Sequence, residues 1–226
     1  MSVAEATQSN LSPLMTVLVA GAHGAVGQHL VQLLADADHT VRAMIRDDEQ
    51  AEGMRALGAE PLVADLTGDV SEAPAGCDAV IFAAGSGGEN VEGVDRDGAI
   101  ALIDATKAQG IGRFVMLSSI GADAPEEADQ LQDYLRAKHA ADQHLIGTDL
   151  TYTVLRPTAL TDGAGTGTAA FAASLDFDEH PKEVAREDVA LALASILTVS
   201  ETEGAVIEMT GGDTPIREGL ASTRNR

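Results

Sequence analysis

Tyr134 and Lys138 stand four residues apart in Tyr134-Leu135-Arg136-Ala137-Lys138. On a helix this spacing stacks two side chains on one face, one turn apart. A phenol has an ordinary pKa of about 10 and is a poor base at neutral pH. A neighbouring ammonium favours the phenolate and lowers that value. Such a pair can exchange a proton with a substrate hydroxyl or carbonyl oxygen. Ser118-Ser119 lies upstream, and one of the two hydroxyls could hold that oxygen. Adjacent strand residues face opposite ways, so the pattern leaves open which serine it is.

A second group carries its own chemistry. Gly21-Ala22-His23-Gly24-Ala25-Val26-Gly27 follows an apolar run and opens an amphipathic one. In that context Gly21 permits a tight turn, Gly24 lets a pyrophosphate approach the backbone, and Gly27 lets a helix pack close on a sheet. The helix start then presents free N–H groups, Ala25 and Val26 among them, and a partial positive charge to the phosphates. His23 either touches a phosphate or fills the turn. Arg46 follows the run Thr40–Ile45, where NAD-specific proteins of this kind place an acidic residue for the ribose 2′-hydroxyl. A guanidinium there suits a 2′-phosphate and stacks on adenine. NADP is therefore expected over NAD, although Asp47 and Asp48 argue the other way.

These residues need elements to place them. Residues 15–20, 40–45, 61–64, 79–83, 114–118, 151–155 and 205–209 are short apolar runs, as expected of strands buried on both faces. Residues 25–36, 48–57, 91–109, 128–146 and 186–198 have helical patterning, with Val26, Leu30, Leu33 and Leu34 on one face of the first. The alternation predicts βαβ units and an α/β fold, a doubly wound parallel sheet with a small C-terminal lobe. Residues 1–13 read as a flexible tail and 14–226 as a single domain, with about 158–226 forming a reduced substrate lobe. The glycine-rich stretch 161–168 breaks the alternation and reads as a mobile loop near a site or as a plain linker.

The G-x-x-G-x-x-G spacing, with the Tyr-x-x-x-Lys pair after the fifth strand, resembles the extended and atypical short-chain dehydrogenase/reductases. Within that superfamily the chain is most similar to the small NAD(P)H-binding, sugar-epimerase-like group. Residues 152–162, 186–190 and 212–216 carry further likeness, which spans nearly all of 15–217. The resemblance implies an NAD(P)-binding Rossmann fold. It places the serine, tyrosine and lysine of the site at Ser119, Tyr134 and Lys138, with Lys138 also bonding the nicotinamide ribose. It assigns Asp65, next to Leu66, to the adenine amino group. It gives Ala83-Ala84-Gly85 a small-residue surface for the coenzyme, and it brings in Pro157 at the end of the sixth strand. Only 69 residues follow Pro157, against the larger substrate lobe of true sugar-nucleotide epimerases.

Composition limits the alternatives. The chain has 226 residues, 45% of them apolar, with no Trp and only two Tyr. Its 36 acidic and 14 basic residues give a net charge of −22, which repels nucleic acid and anionic lipid. Neither nucleic acid nor membrane is expected as a partner. The surplus of acid, with 11 Arg and 3 Lys, suits a halophile. No apolar run reaches a membrane span and no secretory signal opens the chain, so a cytoplasmic protein is expected. The single Cys77 reads as packing, and the His residues have no ligand spacing that would suggest a metal. The expected function is an NADP-dependent oxidoreductase moving hydride between nicotinamide and a small carbonyl or alcohol substrate. An epimerase and a non-catalytic NADP(H) sensor are the alternatives. The pattern leaves monomer and homodimer open.

Overall fold

A computed structural model describes residues 13–176 and 178–223. Most of the proposed tail, residues 1–12, lies outside the described residues, as do residues 224–226 of the expected C-terminal lobe. The first strand, β1 (Thr16–Ala20), is followed by α1 (Ala25–Asp36), β2 (Thr40–Ile45), α2 (Ala51–Ala56), β3 (Glu60–Val63) and β4 (Ala79–Phe82). Then come α3 (Ala99–Ala108), β5 (Arg113–Leu117), α4 (Gln132–Ile146) and β6 (Thr151–Pro157). The C-terminal part holds β7 (Ala159–Thr161), β8 (Thr168–Ala172), β9 (Glu183–Ala185), α5 (Arg186–Ile196), β10 (Ala205–Gly211), β11 (Thr214–Pro215) and α6 (Ile216–Ala221).

Nine strands form one sheet in the order β11-β8-β10-β6-β5-β4-β1-β2-β3. The seven from β3 to β10 run parallel, while β8 pairs antiparallel with β10 and with β11. β7 and β9 form a separate parallel pair. Alternation along the buried strands feeds two cores. Val17 and Val19 of β1 join Ile81 and Val115 under α1 and α5. Leu18 and Ala20 join Val80, Phe82, Phe114 and Met116 under α3 and α4. This two-sided burial is what the apolar strand runs predict, and the fold is a doubly wound Rossmann sheet. β1 lies between β2 and β4, so the strand order reverses there and leaves a crevice at the carboxyl ends of β1 and β4.

Three local expectations are corrected. Residues 91–109 are not one α-helix: Val91–Gly98 is π-helical, and α3 starts at Ala99. Gly93 and Gly98 weaken the α preference there, and the wider turn carries Asp95 fully into the interior. Helix α4 starts at Gln132 and not at 128, because Pro125–Glu127 closes a separate 3-10 turn and Leu131 adopts a left-handed φ of 59°. The 161–168 stretch is a tethered connection. Gly165 N–H donates to Glu187 at 2.7 Å, and Asp188 accepts from Thr166 N–H at 3.0 Å and Gly167 N–H at 2.8 Å. It borders a cleft between α1 and α5.

Candidate active site and coenzyme cleft

The crevice at the switch point opens into a cavity of about 610 Å3, within the size range of small-molecule sites. Its floor is the glycine loop. Gly21 has φ +81°, and a Cβ there would lie 2.5 Å from Ala84 Cα. A Cβ on Gly27 would stand 2.1 Å from Gly21 O. The bare backbone therefore lets β1, β4 and the start of α1 converge under the cavity. No side chain caps α1, and its first turn has no acidic residue, so its N-terminal N–H groups are left for an anion. An NAD(P) pyrophosphate fits that donor set.

The walls match most of the expected coenzyme residues. Gly21, His23 and Gly24 line it at the start of α1, Arg46, Asp65 and Leu66 beyond the ends of β2 and β3, and Ala83, Ala84 and Gly85 just past β4. Ala25 is exposed, while Val26 and Gly27 are turned into the protein and support the loop from behind. Pro157 is buried in β6 and is not among the lining residues. Asp65 Oδ1 accepts from the Thr67 N–H and Oγ1, both at 2.8 Å, and these bonds hold the carboxyl below its usual range. The Arg46 side chain is 70% exposed and meets Asp47 only loosely, at 3.4 Å. The sequence reading missed Gln50, Thr67, Ser86 and Asn90, all on the cavity wall. Being single polar residues on loops and a short helical turn, they carry no periodic signal.

Of the residues expected to move a proton, Ser119 follows β5, and Tyr134 and Lys138 lie on α4. Ser118 and Ser119 diverge as neighbours on an extended chain should. Ser118 is buried and its Oγ donates to Asp142 at 2.8 Å. Ser119 Oγ donates to Ile120 O at 3.3 Å, and its hydroxyl stands close enough to the Tyr134 phenol to pull the pKa of that group down. Lys138 is 2% exposed, and its Nζ lies 5.6 Å from the centre of the Tyr134 ring. That ammonium donates to Leu117 O at 3.3 Å and Ala84 O at 3.4 Å, and it lies 3.4 Å from Asp95 Oδ1. It thus ties α4 to the carboxyl ends of β4 and β5. Lys138 by itself does not lower the pKa of the Tyr134 phenol, which is pushed up to about 12, first by burial and then by Asp95, against the pull of the Ser119 hydroxyl. At neutral pH the phenol is protonated.

A buried network stands behind this group. Asp142 accepts from Arg156 Nε at 3.1 Å and Nη2 at 3.0 Å, while Asp95 Oδ2 accepts from the Ser86 N–H at 3.1 Å and Oγ at 2.7 Å. Asp142 shares the spacing of Tyr134 and Lys138, one more turn along α4, so the sequence did hold a signal for it.

The profile of the NAD(P)H-binding family matches residues 21–199. The chain belongs to that family. A relative from Bacillus subtilis, named an uncharacterized sugar epimerase, is 41% identical over 91% of this chain and 99% of its own length. A solved structure from Bacillus halodurans, described as a candidate NAD-dependent epimerase/dehydratase, has a TM-score of 0.87 at 36% identity, over 91% of this chain and 98% of that one. An oxidoreductase from Lactococcus lactis has a TM-score of 0.85 at 32% identity, over 94% and 98%. The family's kin thus include proteins named as oxidoreductases and as epimerase-like proteins. Among the described residues no helix is long and apolar enough to cross a membrane.

Proposed function

We propose that the protein is an NADPH-dependent reductase of a small carbonyl substrate. Ser119 would hold the substrate oxygen, Tyr134 would protonate it, and Lys138 would fix the frame in which Tyr134 stands. The reading is carried by one juxtaposition: Lys138 Nζ lies 5.6 Å from the centre of the Tyr134 ring and donates to Ala84 O, and Ala84 lines the cavity. When bound, the coenzyme supplies hydride to the carbonyl carbon. The chain supplies the rest. The loop from Gly21 and the α1 N-terminus hold the pyrophosphate, and Asp65 accepts from the adenine amine. Arg46, loosely engaged and exposed, turns to the 2′-phosphate and favours NADPH over NADH. Asp47, whose carboxylate lies beside Arg46, is not on the cavity wall and does not offer itself to the ribose.

The test is a panel of small aldehydes and ketones with wild type and Tyr134→Phe, following NADPH absorbance. Net consumption of NADPH that falls about 10²-fold or more in the variant, with nucleotide affinity kept, supports the reading. Equal turnover in both removes Tyr134 from the reaction. Interconversion of sugar stereoisomers with no net consumption would favour an epimerase, the activity named for the Bacillus subtilis relative.

A further inference from the structure

Asp95 lies at 0% exposure in the π-helical turn and has an oxygen, Oδ1, with no hydrogen-bond partner. Its other oxygen is held by Ser86. The free oxygen lies 3.4 Å from Lys138 Nζ, the cation beside Tyr134. A buried carboxylate is costly unless a charge meets it, and a buried ammonium likewise. Lys138 therefore cannot lend its whole charge to the phenol, because Asp95 already takes it.

The other charges around Tyr134 are paired among themselves. Arg136 meets Glu126 and Asp133, and Arg96 meets Glu92 and Asp97. On the same face of the sheet, Arg156 meets Asp142. This leaves Tyr134 with no surplus positive charge to stabilise a phenolate.

We propose that Asp95 is a positioning residue that balances the Lys138 ammonium and keeps the Tyr134 hydroxyl protonated in the resting site, ready to give its proton to a carbonyl oxygen. In the step this serves, the phenol O–H bond breaks and its proton joins the carbonyl oxygen as the carbonyl carbon gains hydride from the nicotinamide. The carbonyl is reduced to the alcohol, the nicotinamide is oxidised, and the phenolate left behind regains a proton from solvent. The inference rests on Tyr134 being the proton donor of the proposed reduction, yet its test reads ionisation alone and does not depend on turnover.

The chain has two tyrosines and no tryptophan, so Tyr152→Phe leaves Tyr134 as the sole strongly absorbing side chain near 295 nm. In nucleotide-free Tyr152→Phe protein, tyrosinate absorbance should stay flat up to about pH 10, the ordinary phenol value. Adding Asp95→Asn should lower the midpoint by about one pH unit or more, as removal of a close like charge does. Incorporating a fluorinated tyrosine, whose phenol is more acidic, brings both transitions into the range where the fold holds, as checked by circular dichroism. A midpoint unmoved or raised in folded Asp95→Asn protein overturns the proposal. Should that variant fail to fold, the parent still decides: a Tyr134 midpoint at or below about pH 9 means that Lys138 is unbalanced and the proposal is wrong, and a flat trace upholds it.

Discussion

Arg156 on β6 grips Asp142 on α4 through two hydrogen bonds, at 3.0 and 3.1 Å, with both side chains buried. Burial raises the Asp142 carboxyl above its usual range, and the guanidinium is the largest force pulling it back. The pair fixes the helix that carries Tyr134 and Lys138 against the strand that ends in Pro157. Removing one partner strands the other charge. Asp142→Ala should cost about 3–5 kcal/mol, and Asp142→Asn, which keeps the shape and some hydrogen bonding, distinctly less. Urea unfolding at neutral pH measures both. Equal, small losses would mean that the pair contributes little to holding α4.

The two cores and the order of the central strands follow from apolar runs alternating with amphipathic helices, and these are plain in the residues. β1, for example, is apolar from Val17 to Ala20 because helices cover both its faces. The glycine loop is legible for the same reason, since each glycine answers a local demand of strand, turn and helix. Asp95 and Arg156 are not legible in this way. Each looks like an ordinary charged residue until tertiary packing buries it against a partner 43 and 14 positions away. β8 also went unread. It is largely alanine, a poor strand former, and it exists because β10 and β11 flank it.

Gly27 should tolerate no side chain. A Cβ would stand 2.1 Å from Gly21 O and 2.8 Å from Ala22 O, both backbone atoms that cannot swing away. Gly27→Ala must push α1 off the loop, losing nucleotide binding and about 1–3 kcal/mol of stability. Gly53 in α2 has nothing within 4 Å of the same position, so Gly53→Ala should stabilise by about 0.5–1 kcal/mol and leave binding alone. Thermal melts and nucleotide titrations separate the two. Undiminished binding by Gly27→Ala would show that the loop does not carry the pyrophosphate.

Arg46 should set coenzyme choice. Its exposed contact with Asp47 is worth little, so Arg46→Ala should leave stability within about 0.5 kcal/mol of wild type. A charged hydrogen bond to a 2′-phosphate is worth about 1.5–3 kcal/mol, so NADPH should bind about 10- to 100-fold more weakly while NADH is unchanged. Calorimetric titration with each nucleotide gives the comparison. An equal loss for both would mean that Arg46 stacks on adenine and does not read the phosphate.

Tyr134 should also leave a mark on stability in alkali. Below about pH 10 the phenol is protonated in folded and unfolded chains alike and contributes no pH dependence. Above that the unfolded chain gains by ionising, while the folded one, with its phenol held near 12, does not. The folded-state value is the raised one, so stability declines as pH rises through the window from about 10 to 12. Tyr134→Phe removes the ionisable group from both states. Its urea midpoint, compared with wild type at pH 8 and again at pH 10.5–11, should therefore gain relative to wild type at the higher pH. The same shift at both pH values would show that Tyr134 is not held protonated by its surroundings, and with it the case for a proton-donating phenol would fall.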